Sequence, residues 1–424
     1  MASSTMWWSR ARLSLPSSSS EDHPTPRISG TFQTLTRTRL LIVALLGMLL
    51  VACAGPTVES LRDPVPEPLA SRSTVPGYSR IRYWGDNGDG FTDAMLEEIT
   101  AQQKAAGLSP TVRNFLAVSG GGSNGAFGAG LLSGWTKAGT RPEFTVVTGV
   151  STGSLIAPFA YLGPPYDELL TEAYTAISGE DVFRRKPIIR VIGSAAAADN
   201  TPLRNLVARY VTDQMVTDIA RENARGRKLL VGTTNLDAGR PVVWDIGAIA
   251  SSGVPDRKDL IRDILVASSS IPGVFPPVKI KVVADGRTFD EMHVDGGTSN
   301  QAFMFPSNFS VKAQDARLNR SGIKRTLYVI RNGKVTPQYT MVKPRLASIV
   351  GRSISTLITT QGVGDLYRMY ANAQRDGIHF KAIWVPESFS KEETEPFDPV
   401  FMKALYQLGL EMGRNGIPWA TQPP

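Results

Sequence analysis

Ser151 sits in Gly149-Val150-Ser151-Thr152-Gly153, directly after the apolar run at residues 144–148. A serine hydroxyl becomes a usable nucleophile when it projects from a sharp strand-to-helix bend, and small flanking glycines remove the Cβ atoms that would clash there. Residues 154–160 are helix-like, so the hydroxyl is expected beside a helix N-terminus, where backbone N–H groups stabilise developing negative charge. A lone G-x-S-x-G also marks ordinary glycine-rich turns, so its neighbours must decide between the two.

One such neighbour lies upstream. The strand-like residues 114–119 open into Gly120-Gly121-Gly122-Ser123-Asn124-Gly125, followed by a helix-like segment at 131–137. Three consecutive glycines leave backbone N–H groups uncovered for an oxyanion or a phosphate oxygen. Read as G-x-G-x-x-G, the stretch is also a dinucleotide fingerprint, but that needs an acidic residue ending a second strand about 20 residues on. Glu143 stands at the start of the next strand instead, which is the wrong end. The position one strand–helix unit before Ser151 suits an oxyanion loop.

The third segment comes late, in Phe289-Asp290-Glu291-Met292-His293-Val294-Asp295-Gly296-Gly297. Asp295 ends an extended run before two glycines, which places a carboxylate on a tight loop. Asp285-Gly286 reads instead as the turn of a hairpin between Val282 and Phe289. The chain has three histidines. His23 lies in the leader and His379 opens a late strand. His293 shares a strand face with Asp295 by its two-residue spacing, so a His293 base with an aspartate orienter is a rival to a carboxylate base. An aspartate base needs a desolvated setting that raises its pKa.

In this order, the glycine loop, the serine elbow and the late Asp-Gly-Gly resemble the patatin-like phospholipase family. The run Ala267-Ser268-Ser269-Ser270 ending in the turn Ile271-Pro272-Gly273-Val274-Phe275-Pro276-Pro277 adds to the resemblance, which covers about residues 110–310. It implies Ser151 as nucleophile, Asp295 as general base and Gly120, Gly121 and Gly122 as oxyanion loop, with Gly125, Gly149, Gly153, Gly296 and Gly297 shaping the motifs. It implies a Ser–Asp dyad that hydrolyses lipid acyl esters, with no metal or organic cofactor. The chain departs from the family at Asn124, where members carry arginine or lysine. An acyltransferase on the same dyad, or a membrane-tethered binder without turnover, uses the same residues.

The only cysteine, Cys53, ends a separate signal. Residues 40–52 are apolar or glycine, preceded by Arg37 and Arg39. Thirteen helical residues reach about 20 Å, short of the ~30 Å hydrocarbon core, so the run has the length of a signal-peptide h-region. Leu50-Val51-Ala52-Cys53 resembles a bacterial lipobox, which implies acylation of Cys53 and, with Ala54 next, sorting to the outer membrane of the cell envelope. The prolines that follow, from Pro56 to Pro76, read as an extended tether. The expected organisation is a leader at 1–52, a proline-rich tether at 53–77 and one α/β domain at 78–424.

A chain of 424 residues suits one large enzyme domain, and its net charge of +8 suits an anionic lipid surface and equally a generic soluble one. It holds no basic cluster with interleaved aromatics, so no nucleic-acid partner is expected. No His/Cys cluster has metal-ligand spacing. Strand-like runs at 227–235, 241–246 and 326–330 alternate with helical ones, such as 259–267 and a helix opened by Asn200. The alternation predicts a mainly parallel sheet covered on both faces, and the family resemblance implies the same three-layer α/β/α sandwich. Residues 346–370 read as a helix interrupted at Gly351 and Gly362. Asp398 and Pro399 open a last helix.

Overall fold

The computed structural model describes residues 62–109, 111–185 and 196–424. The signal at 37–53, including Cys53, lies outside the described residues. The strands are β1 (Arg82–Trp84), β2 (Val112–Val118), β3 (Val146–Val150), β4 (Arg184–Arg185), β5 (Ala198–Asp199), β6 (Lys228–Asn235), β7 (Arg240–Asp245), β8 (Val278–Ala284), β9 (Arg287–Asp295), β10 (Lys324–Arg331) and β11 (His379–Trp384). Helices of six residues or more are α1 (Asp93–Ala105), α2 (Gly125–Lys137), α3 (Thr152–Leu162), α4 (Asp167–Thr175), α5 (Thr201–Tyr210), α6 (Asp213–Ala224), α7 (Ile246–Ser251), α8 (Arg257–Ser268), α9 (Val311–Arg317), α10 (Leu346–Asp376) and α11 (Pro399–Asn415).

The main sheet runs β1-β7-β6-β3-β2-β10-β11, parallel from β6 to β11 and antiparallel at β7 and β1. Side chains along β2 alternate between two cores: Leu116 and Val118 pack on one face, Phe115 and Ala117 on the other. A strand buried on both faces must be apolar throughout, and β2 is so from Phe115 onward. Leu366, Met369 and Ala373 of α10 cover the second face. On the first face α2 lies against α11. There a Cβ at Gly130 or Gly134 would strike backbone of Tyr406 or Leu410, and one at Gly409 or Gly413 would strike α2. That close crossing offsets the helix cost of four glycines, about 1 kcal/mol each. It also lets α2 begin at Gly125, six residues before the start its sequence predicts.

Residues 62–77, read as tether, are docked on the domain. Thr74 exchanges both backbone hydrogen bonds with Val283, and Asp290 donates its N–H to Asp63. Arg62 pairs with Asp237, and Val75 is buried. Prolines lack a donor but keep their carbonyls, so a proline-rich segment can still line a sheet edge. The helix opened by Asn200 stops at Tyr210, and Thr212 caps a second one by accepting from Met215 N–H at 3.2 Å. Conversely, α10 runs through Gly351 and Gly362 without a break.

Candidate active site

The sheet itself brings the distant segments together. One edge of β6 pairs with β7 along Leu230 to Asn235. Its other edge pairs with β3 only as far as Val150↔Gly232. From Thr233 onward β9 takes over that edge, antiparallel, with Thr233↔Asp295. Asp295 therefore arrives one register step beyond Val150, which is the position of Ser151.

Ser151 has φ 54° and ψ −128°, a left-handed conformation strained for a residue with a side chain. Close packing explains the glycines around it. A Cβ at Gly149 would meet the Gly153 carbonyl, and one at Gly153 the Val118 carbonyl. The hydroxyl stands at the N-terminus of α3, with the first unpaired helical N–H groups beside it.

The Ser151 side chain lies close enough to the Asp295 carboxyl to favour its ionised form. Asp295 is 5 % exposed and accepts the Gly297 N–H at 2.7 Å. Burial pushes its carboxyl up to about 7, against the Ser151 side chain and the Gly297 N–H, which favour the ionised form. This is the desolvated setting an aspartate base requires. A Cβ at Gly296 would collide with the Gly232 carbonyl, so only glycine lets the Asp295 loop lie against β6.

The glycine loop lies beside Ser151: a Cβ on Gly120 would come 3.1 Å from that of Ser151. Gly120, however, donates its N–H to the Gln301 carbonyl at 2.9 Å. The expectation that all three glycines offer an N–H to the oxyanion is corrected here. The N–H groups of Gly121 and Gly122 have no hydrogen-bond partner among the described residues. Asn124 follows in a turn and makes no side-chain cap.

His293 is fully buried, and both ring nitrogens are engaged: Nδ1 with the Thr233 hydroxyl at 3.0 Å, Nε2 with the Glu291 carboxylate at 3.1 Å. Burial lowers its pKa, with the Glu291 carboxylate opposing. Arg82 and Ser73 complete this cluster around Glu291. The rival base is thus a core histidine, with neither nitrogen open to Ser151.

Four positioning residues were not read from the sequence. Ser268 accepts the Ser151 N–H at 3.0 Å and donates its hydroxyl to the Gly232 carbonyl at 2.7 Å. Asn332 accepts the Gly128 N–H and donates its side-chain amide to the Ser119 carbonyl. Gln301 holds Gly120, and its own N–H is held at 2.6 Å by Asp365 of α10. Only Ser268 lies within a quoted motif, the alanine-serine run; the other three carry no local signal. Ser268→Ala leaves the Ser151 N–H without its acceptor, which costs about 1–3 kcal/mol of stability. It is expected to lower kcat roughly 10–100-fold by loosening the elbow. Thermal unfolding and single-ester kinetics on the purified variant check both.

From Gly122 and Ser151 a cavity of about 80 Å³ runs into an apolar lining that includes Leu155, Phe159, Leu206, Met215, Phe275 and Met402.

The patatin-like phospholipase family profile matches residues 116–305, which span the glycine loop, Ser151 and Asp295. This stretch is similar to the domain of patatin-like phospholipases. Its three-layer arrangement and mostly parallel sheet are those of the patatin fold. No curated protein matches the chain. Two solved structures are distantly similar. VipD from Legionella pneumophila is 11 % identical with a TM-score of 0.34, over 72 % of this chain and 67 % of that one. The human GIVD cytosolic phospholipase A2 is 13 % identical with a TM-score of 0.34, over 79 % of this chain and 56 % of that one. The patatin-like assignment rests on the profile and the sheet, not on these two.

Proposed function

We propose that the patatin-like domain hydrolyses acyl esters of phospholipids or related lipids through an acyl-enzyme on Ser151. The observation that carries this reading is a serine beside a buried carboxyl pushed up to about 7, at the head of an apolar cavity. Asp295 takes the Ser151 proton as Oγ attacks the ester carbonyl carbon. The carbonyl π pair moves to oxygen, which accepts hydrogen bonds from the Gly121 and Gly122 N–H groups. Collapse of the tetrahedral species breaks the ester C–O bond, and the leaving alkoxide takes the proton from Asp295. Water, deprotonated by Asp295, then attacks the acyl-serine, frees the fatty acid and returns the proton to Oγ.

In this scheme backbone N–H groups stabilise the oxyanion, so asparagine at position 124 is compatible with turnover. We extend the proposal to a lipid anchor at Cys53 in a bacterial envelope, supported by the Leu50-Val51-Ala52-Cys53 pattern. Incorporation of a tagged fatty acid that survives Cys53→Ser would overturn the anchor.

The function is tested by incubating the protein with mixed phospholipid vesicles and resolving the products. Free fatty acid together with lysophospholipid is expected. Release of phosphate or head group with the diacyl part intact, or no product at all, contradicts it. Transfer of the acyl group to an added alcohol in preference to water would make the domain an acyltransferase.

A further inference from the structure

Helix α10 has 31 residues, about 46 Å of helix. Only its second half lies on the sheet. A Cβ at Gly362 would strike the Arg331 guanidinium at the carboxyl end of β10, and Asp365 reaches Gln301. Leu366, Met369 and Ala373 are buried beyond that point. Residues 346–361 therefore extend about 24 Å past the carboxyl edge of the sheet, the edge that carries Ser151.

This overhang is apolar where it meets water. Leu346, Ile349, Val350, Ile354 and Leu357 recur at helical spacing and are all exposed, Leu346 by 80 %. The preceding loop adds Tyr339 and Met341, 92 % and 83 % exposed. Contiguous exposed side chains of this size mark an interaction surface. Its charge identifies the partner. Residues 332–364 contain Lys334, Lys343, Arg345 and Arg352 and no aspartate or glutamate. Lys343 and Arg345 have no ion-pair partner among the described residues. Large apolar side chains flanked by unpaired cations complement an anionic bilayer, with the cations at the headgroups and the apolar groups below them. The same charge makes pairing with a second copy of this face repulsive. No helix among the described residues is long and apolar enough to cross a membrane, so the arm lies on the surface.

We propose that residues 339–357 form a membrane-docking arm that seats the Ser151 mouth on an anionic lipid surface. The choice of a lipid surface near that mouth rests on the proposed lipid-ester activity, but docking itself can be read without turnover. Cys53 is the only cysteine, so the full chain carrying Cys53→Ser and Met341→Cys takes one environment-sensitive fluorophore on the arm. A second chain with Cys53→Ser and Lys279→Cys carries it on the exposed face of β8. Vesicles of phosphatidylcholine with phosphatidylglycerol are expected to shift the emission at 341 to the blue and raise it several-fold, and to leave 279 unchanged. Phosphatidylcholine alone should give a smaller change. No change at 341, or an equal change at both positions, overturns the proposal. Emission at 341 already blue-shifted without lipid also overturns it: independence from protein concentration would mean the chain covers its own arm, and dependence would mean a second copy does. The triple variant Met341→Ser, Leu346→Ser and Leu357→Ser should lose at least about tenfold in vesicle hydrolysis and keep its rate on a soluble short-chain ester. An unchanged vesicle rate contradicts docking. If the protein proves inactive on all esters, the proposed function fails while the fluorescence result still decides the arm.

Discussion

Ser151→Ala is expected to lower kcat/KM on a lipid ester by roughly 10⁴-fold or more while leaving the fold intact. The size follows from the role: without Oγ no acyl-enzyme forms, and the Gly121 and Gly122 N–H groups have only a water-derived oxyanion to stabilise. Alanine retains the strained backbone at φ 54°, so the variant should unfold near the native temperature. Ser151→Gly should be equally inactive yet more stable than Ser151→Ala by about 1 kcal/mol, because glycine adopts that conformation without strain. Ester kinetics and thermal unfolding of the two variants together separate chemistry from folding. Substantial turnover by either would remove Ser151 from the mechanism.

The second large effect belongs to Asp295. Its carboxyl titrates at about 7, raised chiefly by burial, and it works as a base only when ionised. The rate at low substrate concentration should therefore rise with pH through about 7 and level off above it. Asp295→Asn should lose about 10⁴-fold and this acidic limb with it. Stability must move the other way. A native pKa above the unfolded value means that the carboxyl's favourable contribution is complete below the unfolded pKa and is lost as pH rises through about 7. Asparagine stays neutral, so Asp295→Asn should be more stable than the native chain above pH 7, by roughly 2–4 kcal/mol, and nearly equal to it near pH 4. Denaturant midpoints at the two pH values test the sign. A variant destabilised at high pH would mean that Asp295 holds the fold together rather than being strained by it.

Local chemistry made much of this legible in the sequence. The elbow, the glycine loop and the Asp-Gly-Gly loop announce themselves because sterics permit few residues at each position. The alternation of β2 and the cap at Asp398, which accepts from the Val400 N–H at 2.8 Å, follow from equally local rules. Long-range pairing was not legible. That β9 relieves β3 along β6, and so delivers Asp295 to Ser151, is a property of register between strands some 60 residues apart. The commitment of the Gly120 N–H to Gln301 depends on a loop 180 positions away. His293 shares its strand face with Asp295, as its spacing implies, but Glu291 and Thr233 fix its ring. Glycines 351 and 362 looked like breaks in α10 because helix propensity is local. Gly362 instead makes room for the Arg331 side chain. Residues 62–77 looked like a tether because prolines suppress regular structure, although Asp63 and Thr74 between them still pair with Asp290 and Val283 along the sheet edge.

The meeting of Ser151, Asp295 and the Gly121–Gly122 amides in one reactive centre is tested most directly by a fluorophosphonate probe read by intact mass and peptide mapping. One probe adduct is predicted, on the peptide carrying Ser151, formed faster above pH 7 than at pH 5, absent in Ser151→Ala and strongly slowed in Asp295→Asn. A folded protein that takes no label, or takes it on a residue other than Ser151, would contradict it.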